Sequence, residues 1–296
     1  MNSKKTILLV VNPVSGGEDK TDLICDVEVE VDRNNKRFVV FETTGENDAK
    51  KLEKELSDET LERVLVAGGD GTIKLVASVL EGKDIPIGIL PAGSANGLAT
   101  HFQIPEERKQ QIEIALGDHF IAMDRLKLND QICLHVADLG INAELIKNYE
   151  ESQIRGKLGY LLQSIPTLID CEYPFQFSIE AEGQKWEKEG VLLAIANARK
   201  FGTGATINPD GKINDKKFEL VLFKKLDIIE IIKTVRDKVK LDPEFAETIS
   251  TDKAVIRTDG SIPFQIDGEY LGTVDKVEIL VCPDPLEVAV PEFVHS

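Results

Sequence analysis

The first part of the chain alternates between short aliphatic runs and amphipathic segments, and this alternation constrains the fold more than any other feature. Residues 6–11, TILLVV, are almost continuously aliphatic, which is typical of a strand buried on both faces of a parallel sheet. Further strands are predicted at 37–43, 64–67 and 85–90, and a helix at 73–80. Strands that alternate with helices in this way predict an open, doubly wound parallel sheet.

A second helix is predicted between the strands at 37–43 and 64–67. Ala49, Leu52 and Leu56 recur at helical spacing among lysines and glutamates, which indicates an amphipathic surface helix. Asn47 immediately precedes this pattern and is predicted to cap the helix.

From Met123 onward, short β runs with alternating apolar and polar residues dominate. They predict a mostly antiparallel sandwich or barrel with few helices, for which 152–169 and 226–239 are the better candidates. We therefore expect an α/β domain over residues 1–122 and a β-rich domain over residues 123–296, and leave open whether the extreme C-terminus returns to the first domain. The β runs are RLKLN, FQFSIEA, VLLAIANA, KFELVLFK, AVIRTD, FQIDGEY, KVEILV and LEVAV.

The charge balance limits the partners that the chain can have. It has 35 Lys and Arg against 52 Asp and Glu, a formal net charge of −17, which repels the phosphate backbone of nucleic acids and anionic membrane surfaces. We expect no nucleic-acid partner.

The four cysteines have no C-x-x-C spacing, as in a protein of the reducing cytoplasm, where we place the chain. The sequence leaves open whether the chain forms a homodimer.

Three polar, glycine-rich loops follow strands of the predicted parallel sheet. They are residues 12–17, NPVSGG, residues 68–72, GGDGT, and residues 91–97, PAGSANG. Ligands bind beyond the carboxyl ends of the strands in such sheets, where glycines let backbone amides approach phosphate closely. The loops should therefore converge on one phosphate-binding crevice. Neither a G-x-x-x-x-G-K-[ST] nor a G-x-G-x-x-G motif is present.

Asp70 places a carboxylate in a loop that otherwise favours anions. A magnesium ion would explain it, because Mg²⁺ is held by one or two carboxylates together with nucleotide phosphates. The alternative is an aspartate that hydrogen-bonds to its own turn.

Taken in order, the N-P-x-S-G, G-G-D-G-T and P-x-G-[ST]-x-N loops resemble the diacylglycerol kinase catalytic domain. That domain is shared by bacterial lipid kinases, sphingosine kinases and ceramide kinases. Residues 155–160, 207–215 and 267–269 extend the resemblance over nearly all 296 residues.

The resemblance implies a two-domain kinase. Its first domain would be a nucleotide-binding doubly wound parallel sheet and its second a β-sandwich for the lipid substrate, with the active site in the interdomain cleft. ATP and Mg²⁺ would be required, and a lipid hydroxyl, as in diacylglycerol or a sphingoid base, would accept the phosphoryl group. Contact with the membrane surface would be transient and peripheral.

The resemblance also implies roles for individual residues. Asp70 would join the magnesium network and take part in catalysis, and Glu269 would be the general base that accepts the proton of the acceptor hydroxyl. Asp215 matches a residue of a second metal site, although Lys216 replaces the glycine that usually follows it. The residues near the ATP phosphates would be Asn12, Ser15, Gly16, Gly68, Gly69, Gly71, Thr72, Gly93, Ser94 and Asn96.

Two other functions remain open from the sequence. A kinase of the NAD kinase type could use similar loops on a water-soluble substrate. A nucleotide-binding regulator without catalysis is suggested by Lys216 and by Gly97, which stands where many bacterial diacylglycerol kinases have aspartate. In this respect G-S-A-N-G-L-A is closer to the sphingosine kinase form, G-S-G-N-A-L-A.

The apolar segment 158–169 could contact an acyl chain or form a core helix.

Overall fold

A computed structural model describes residues 4–57, 60–94, 96–143, 174–197, 211–225 and 242–294. The chain divides into two compact units, one formed by Met1–Met123 with Pro283–Ser296 and the other by Asp124–Cys282. Among the described residues, no helix has the length and apolar character needed to cross a membrane. The helices predicted at 152–169 and 226–239 and the motif at 155–160 lie outside the described residues.

The helices and strands are numbered in chain order. The helices are α1 (Thr21–Arg33), α2 (Asp48–Glu55), α3 (Asp70–Val79), α4 (Gly97–His101) and α5 (Arg108–Ala115). The strands are β1 (Thr6–Val11), β2 (Arg37–Glu42), β3 (Leu61–Gly68), β4 (Ile87–Pro91), β5 (Phe120–Met123), β6 (Leu126–Leu128), β7 (Gln131–Cys133), β8 (Val136–Gly140), β9 (Phe175–Ala181), β10 (Gln184–Gly190), β11 (Leu192–Ala196), β12 (Phe218–Phe223), β13 (Ala246–Thr251), β14 (Lys253–Ile266), β15 (Glu269–Val281) and β16 (Leu286–Ala289).

The first unit contains a six-stranded sheet in the order β2-β1-β3-β4-β16-β5. Neighbouring strands are parallel except for β5, which pairs antiparallel with β16 at one edge. This arrangement confirms the predicted α/β class with a mainly parallel sheet. The LEVAV run, which its alternation had placed among the β runs of the second domain, instead forms β16 in this sheet.

Helices cover the sheet of the first unit because β1, an interior strand next to the edge strand β2, is buried on both faces. All six residues of β1 are buried. The apolar stripe of α1, formed by Leu23, Val27 and Val31, shares one hydrophobic cluster with Ile7 and Leu9 of β1 and with residues of α5. The alternate β1 residues point to the opposite face, so the sheet is covered on both sides and its ligand-binding positions are confined to its ends.

Helix α2 forms where predicted, but the prediction that Asn47 caps it is wrong. Asn47 has a left-handed conformation (φ +55°) and makes no side-chain capping bond. The next residue, Asp48, instead accepts hydrogen bonds from the backbone amides of Thr44 (3.0 Å) and Gly45 (2.7 Å). The carboxylate therefore organises the loop before the helix, because it reaches back to two amides that precede it in the chain.

The described residues of the second unit form a ten-stranded antiparallel sheet, which confirms the predicted β-rich class. Eight strands follow the order β13-β12-β11-β8-β14-β15-β6-β7, and β9 pairs with both β10 and β14. Inward-facing residues of β6, β8, β9, β11, β12, β14 and β15 form one large core. Val136, Ala194, Ala196 and Val221 belong to a separate cluster, so β8 and β11 are buried on both faces.

Candidate functional site

The first glycine-rich loop leaves β1 at Asn12 and is held together by its own polar groups. Asn12 Oδ1 accepts a hydrogen bond from the Val14 amide (3.2 Å), and Ser15 Oγ donates to the Asn12 carbonyl (2.9 Å). Gly16 follows with a φ of +64°, a left-handed conformation that glycine adopts at little cost. Asn12 Nδ2 lies 3.5 Å from Thr72 Oγ1 and so links this loop to the second one.

The second and third loops approach each other backbone to backbone. The Ala92 amide donates to the Gly68 carbonyl (3.0 Å). A Cβ atom added at Gly93 would lie 2.4 Å from Gly69 Cα, and one added at Gly16 would lie 2.6 Å from the Ala92 carbonyl oxygen. Since real side chains do not approach backbone so closely, this packing requires glycine. All three loops therefore meet at the carboxyl ends of β1, β3 and β4.

The second loop leads directly into the ten-residue helix α3. Thr72 is only 5% exposed and lies beside Gly68, where a Cβ atom would be 2.3 Å from Thr72 Oγ1. Gly71, in contrast, is exposed. The N–H groups in the first turn of a helix have a partial positive charge and often bind phosphate. The position of α3 therefore suits a phosphate ligand at this loop.

The third loop is closed by an asparagine. Asn96 has a φ of +50°, its Oδ1 accepts a hydrogen bond from the Gly93 amide, and its Nδ2 donates to the Gly93 carbonyl, both at 2.9 Å. Ser94, between these two residues, is exposed. The loop thus presents a hydroxyl to solvent while its ends are fixed by the side chain of Asn96.

Asp70 connects the second loop to the helix that follows the third. Its Oδ2 accepts a hydrogen bond from the Gly97 amide (2.7 Å) and its Oδ1 from the Leu98 amide (3.0 Å). These are the first amides of α4, which have no acceptor within the helix, and a carboxylate stabilises them. Asp70 therefore bonds to the start of a neighbouring helix, in contrast to the alternative in which it bonds to its own turn.

A magnesium ion at Asp70 would find one carboxylate there. The part of the chain that the structure describes contains no cluster of three or more His, Cys, Asp or Glu side chains able to hold a metal. However, Mg²⁺ in phosphoryl-transfer sites typically takes one or two carboxylates, phosphate oxygens and water, and a carboxylate oxygen can form more than one bond. Asp70 therefore fits a metal that is also bound by nucleotide phosphates.

A pocket of about 500 Å³ opens beside the first loop, with Gly17, Lys20 and Glu42 among its lining residues. Lys20 is buried, and its Nζ donates hydrogen bonds to the carbonyl oxygens of Ser15 and Glu18, both at 2.9 Å. The lysine therefore places a positive charge within the loop that leaves β1. The sequence analysis missed this residue, for which the only signal is a lysine shortly after a Gly-Gly pair.

In the second unit, Glu269 follows a tight hairpin turn formed by Asp267 (φ +54°) and Gly268 (φ +86°) between β14 and β15. The Asp267 carboxylate accepts hydrogen bonds from three consecutive backbone amides, those of residues 134, 135 and 136, at 2.9 to 3.1 Å. Glu269 itself is exposed. The turn is thus fixed to a distant segment of the chain, and Glu269 projects from a supported position.

The same hairpin is supported from within the unit by a buried aspartate that the sequence analysis did not single out. Gln265 Oε1 accepts a hydrogen bond from the Gly268 amide (2.8 Å), and Gln265 Nε2 donates to Asp138 Oδ2 (2.5 Å). Burial raises the pKa of Asp138 from its usual 3.8 to about 7, although hydrogen bonds from Gln265 and Asn142 oppose this effect. An acidic residue inside the apolar strand VADLG was the signal for it.

Asp215 lies in the second unit beside another carboxylate. It is exposed, and its Oδ1 accepts a hydrogen bond from the Lys217 amide (3.1 Å). Lys216 has a φ of +60°, the conformation that glycine favours, and its amide donates to Asp124 Oδ2 (2.6 Å). Burial raises the pKa of Asp124, and the charge of Asp215 raises it further. Asp124 was not identified from the sequence.

The structure brings together all of the predicted phosphate-binding residues, since each lies on one of the three loops of the first unit. Asp70 lies among them. Glu269 and Asp215 belong to the second unit, where Glu269 adjoins the Asp267 turn and Asp215 lies near Asp124. The stretch 207–210 of one matched motif is outside the described residues.

Two family models match the chain. The diacylglycerol kinase catalytic domain matches residues 6–128, and the YegS C-terminal NAD kinase beta sandwich-like domain matches residues 135–290. The protein named "Probable lipid kinase YegS" of Shigella dysenteriae serotype 1 (strain Sd197) is 30% identical over 247 residues, covering 80% of this chain and 82% of the relative. "Probable lipid kinase YegS-like" of Enterobacter sp. (strain 638) is 27% identical over 292 residues, covering 96% and 95%.

Solved structures show the same fold. A diacylglycerol kinase from Bacillus anthracis str. Sterne superimposes with a TM-score of 0.76 at 18% identity, covering 100% of both chains. An NAD kinase from Archaeoglobus fulgidus in complex with ATP gives a TM-score of 0.55 at 13% identity, covering 97% of this chain and 94% of that one. At these identities the structural likeness concerns the fold alone.

Proposed function

Because the chain belongs to the diacylglycerol kinase catalytic-domain family, we propose that it is an ATP- and Mg²⁺-dependent lipid kinase. It transfers the γ-phosphoryl group of ATP to a hydroxyl of a lipid such as diacylglycerol or a sphingoid base. The observation that carries the proposal is the convergence of three glycine-rich loops at one end of a parallel sheet. At this end of a parallel sheet, backbone amides and helix N-termini bind phosphate groups, and they do so independently of the group to which the phosphate is attached.

The residues of the first unit are assigned to the nucleotide. Amides of the three loops and the N-terminus of α3 bind the phosphates, with Ser94 as an exposed hydroxyl donor. Lys20 and the loop that it holds support the same end of the site. Asp70 would hold the metal, which would supply positive charge to neutralise the charge that develops on the transferred group.

The residues of the second unit are assigned to the acceptor. The oxygen of the lipid hydroxyl forms a bond to the γ-phosphorus while Glu269 accepts the proton of that hydroxyl. At the same time the bond between the γ-phosphorus and the bridging oxygen of ADP breaks. The products are ADP and a phosphorylated lipid. The names of the curated relatives support a lipid acceptor, and Asp215 is assigned to a second metal site on the family resemblance.

We place the reaction in the cytoplasm, at a membrane surface that the protein contacts only transiently. The spacing of the four cysteines, which includes no C-x-x-C pair, supports a reducing compartment. A net charge of −17 is unfavourable for lasting attachment to anionic lipid, so the contact has to be short-lived or limited to a small surface.

A phosphorylation assay with radiolabelled ATP tests the proposal. The purified protein is incubated with mixed micelles that contain diacylglycerol, monoacylglycerol, a sphingoid base or phosphatidylglycerol, and separately with NAD in the absence of detergent. We expect one labelled lipid and no labelled NADP. Labelled NADP alone would support the NAD kinase alternative. If no lipid is labelled under conditions where a relative is active, the proposal is wrong.

Substitution of Asp70 tests its role in the proposed reaction. We expect Asp70→Asn to lower kcat by at least about 10²-fold. Asparagine also loses one of the two bonds to the start of α4, so the unfolding midpoint of the variant has to be measured alongside. The control is Asp84→Asn, an exposed aspartate in the loop before β4. A folded Asp70→Asn variant with the wild-type kcat would remove this residue from the mechanism.

A further inference from the structure

Asp138 is a fully buried carboxylate in the middle of the sheet of the second unit. It lies on β8, opposite Ala194 of β11 and opposite Gln265 of β14. Val136, two residues earlier and therefore on the same face, belongs to an apolar cluster that includes Ala194. The Asp138 side chain is 0% exposed.

The hydrogen bonds of Asp138 are concentrated on one oxygen. Its Oδ2 accepts bonds from Gln265 Nε2 and Asn142 Nδ2, both at 2.5 Å. Its Oδ1 is buried and has no hydrogen-bond partner within the described ranges. A buried polar atom without a partner lowers stability, typically by about 1 to 3 kcal/mol. A buried carboxylate is unfavourable unless it is hydrogen-bonded, which argues that Asp138 serves the bonds that it makes, including the one to Gln265.

The only side chain that both contacts Asp138 and touches the hairpin turn, among the described contacts, is that of Gln265. An amide side chain has one acceptor end and one donor end, and Gln265 uses its Oε1 end on the Gly268 amide (2.8 Å). Asp138 fixes which way the amide points, because only an acceptor can face its Nε2 end. The two bonds form a relay from the centre of the sheet to the residue that precedes Glu269.

We propose that Asp138 is a positioning residue for Glu269, which it holds in place through Gln265 and the Gly268 amide. The inference rests on the proposed function, in which Glu269 is the general base. Asp267 anchors the turn from the other side through the amides of residues 134 to 136. Asp138 therefore supplies the second anchor. With Asp138 and Asp267 both bonded, the backbone that carries the Glu269 side chain has a defined position.

The physical reason for two anchors is the distance sensitivity of proton transfer. A general base has to lie within hydrogen-bond reach of the proton that it accepts, and displacements of about 1 Å in a positioned group can lower a rate by about 10²-fold. Glu269 is exposed and begins a strand whose first residues are partly exposed. The relay therefore fixes the backbone of the turn from which this exposed side chain projects.

The test compares three substitutions that differ in which of the two hydrogen bonds of the relay can still form. Asp138→Asn keeps an acceptor oxygen for Gln265, whereas Asp138→Leu removes it and Gln265→Leu breaks the relay one step nearer the turn. Leu220→Ala, in the core of the same unit and outside the relay, is the control for loss of stability alone. All four proteins and the wild type are first compared by thermal unfolding.

The kinetic measurement is kcat and the KM for ATP with the lipid that the wild type phosphorylates. We expect Asp138→Leu and Gln265→Leu to lower kcat by at least about 10-fold with the KM for ATP nearly unchanged, and Asp138→Asn to stay within about 3-fold of wild type. An equal loss of kcat in Leu220→Ala, or an unchanged kcat in folded Asp138→Leu, would overturn the proposal. If Asp138→Leu does not fold, Gln265→Leu decides.

A measurement independent of activity is hydrogen exchange at the Gly268 amide. We expect the Gly268 amide to exchange at least about 10-fold faster in Asp138→Leu and Gln265→Leu than in Leu220→Ala. In the first variant the acceptor, Gln265 Oε1, is no longer fixed by Asp138, and in the second it is removed. Equal exchange in all of them would contradict the relay. If the wild type phosphorylates no lipid, the proposed function fails while the exchange result still tests the relay. If the wild type is active and the relay variants match it, only the positioning role fails.

Discussion

The three-loop cluster of the first unit and the Asp267–Glu269 hairpin of the second unit both contain candidate catalytic residues, but they are held in different ways. The loops are joined by backbone packing between glycines and by the bonds of Asn12, Asp70 and Asn96. The hairpin is joined to a partner strand that lies more than 120 residues earlier in the chain, at Asp138 and at residues 134 to 136. The first arrangement follows from the topology of parallel strands. The second depends on individual side chains.

Two buried aspartates illustrate the difference. Burial alone would raise the pKa of Asp48 in the first unit, but hydrogen bonds from the backbone of Thr44 and Gly45 and from the Thr44 hydroxyl outweigh it, and the pKa is lowered. At Asp138 burial prevails and the pKa is raised to about 7. The donors around Asp48 thus outweigh the effect of burial on its pKa, whereas the donors to Asp138 do not.

The largest predicted effect concerns the pH dependence of stability. The folded-state pKa of Asp138 is higher than the unfolded value of 3.8, so the native state binds more protons and its stability falls as pH rises through about 7. Asp138→Asn should remove this loss. Relative to wild type, the variant should gain at most about 3 kcal/mol in free energy of unfolding between about pH 5 and pH 8.

Urea unfolding of both proteins at the two pH values measures that gain. Asp48→Asn is the comparison in the first unit, and it should lose stability about equally at both pH values, because Asp48 is ionised in the folded and unfolded states throughout this range. If the difference between Asp138→Asn and wild type is the same at both pH values, Asp138 does not titrate in this range and the contrast between the two aspartates is lost.

An intermediate effect is expected where backbone packing holds the loops. A Cβ atom at Gly93 would lie 2.4 Å from Gly69 Cα, while one at Gly71, in the same cluster, would meet nothing within 4 Å. Gly93→Ala should therefore lower the free energy of unfolding by about 1 to 3 kcal/mol, and Gly71→Ala should not lower it. Urea unfolding of the two variants is the measurement, and equal losses would show that the loops do not depend on close approach.

The smallest effect is expected at Lys216, where a non-glycine residue has a left-handed conformation. Lys216→Gly should leave the free energy of unfolding unchanged or raise it by up to about 1 kcal/mol. Glycine relieves the backbone strain of the positive φ, which offsets the entropy that glycine adds to the unfolded chain. Lys217→Gly, next to it and without a positive φ, should lose about 0.5 to 1 kcal/mol. Equal losses at both positions would show that the conformation of Lys216 is unstrained.

Much of the first unit could be predicted because its elements follow local rules. The aliphatic run at 6–11 forms β1 over the predicted residues, and each glycine-rich loop follows a strand. Helix α1 shows where such rules conflict. Val27, Val29 and Val31 alternate with acidic residues as in a strand, but Leu23, Val27 and Val31 also form a helical stripe. The stripe packs on β1 and leaves Val29 exposed, so tertiary packing decides.

The support of Glu269 could not be predicted in the same way. The resemblance identified the Asp-Gly-Glu turn, but no rule states which strand of an antiparallel sheet will lie beside it. Asp138 and Gln265 are neighbours only because β8 pairs with β14 in one particular register. Similarly, Asp124 and Lys216 come together through a contact between segments that are far apart in sequence.

The most direct test of the account is to measure ATP binding and phosphoryl transfer separately in Glu269→Gln. The substitution lies in the second unit, so titration calorimetry should give a Kd for Mg²⁺-ATP close to that of wild type, while transfer to lipid falls by at least about 10²-fold. Asp275→Asn, an exposed acid on the same strand, should match wild type in both. Transfer by Glu269→Gln at the wild-type rate would contradict the account.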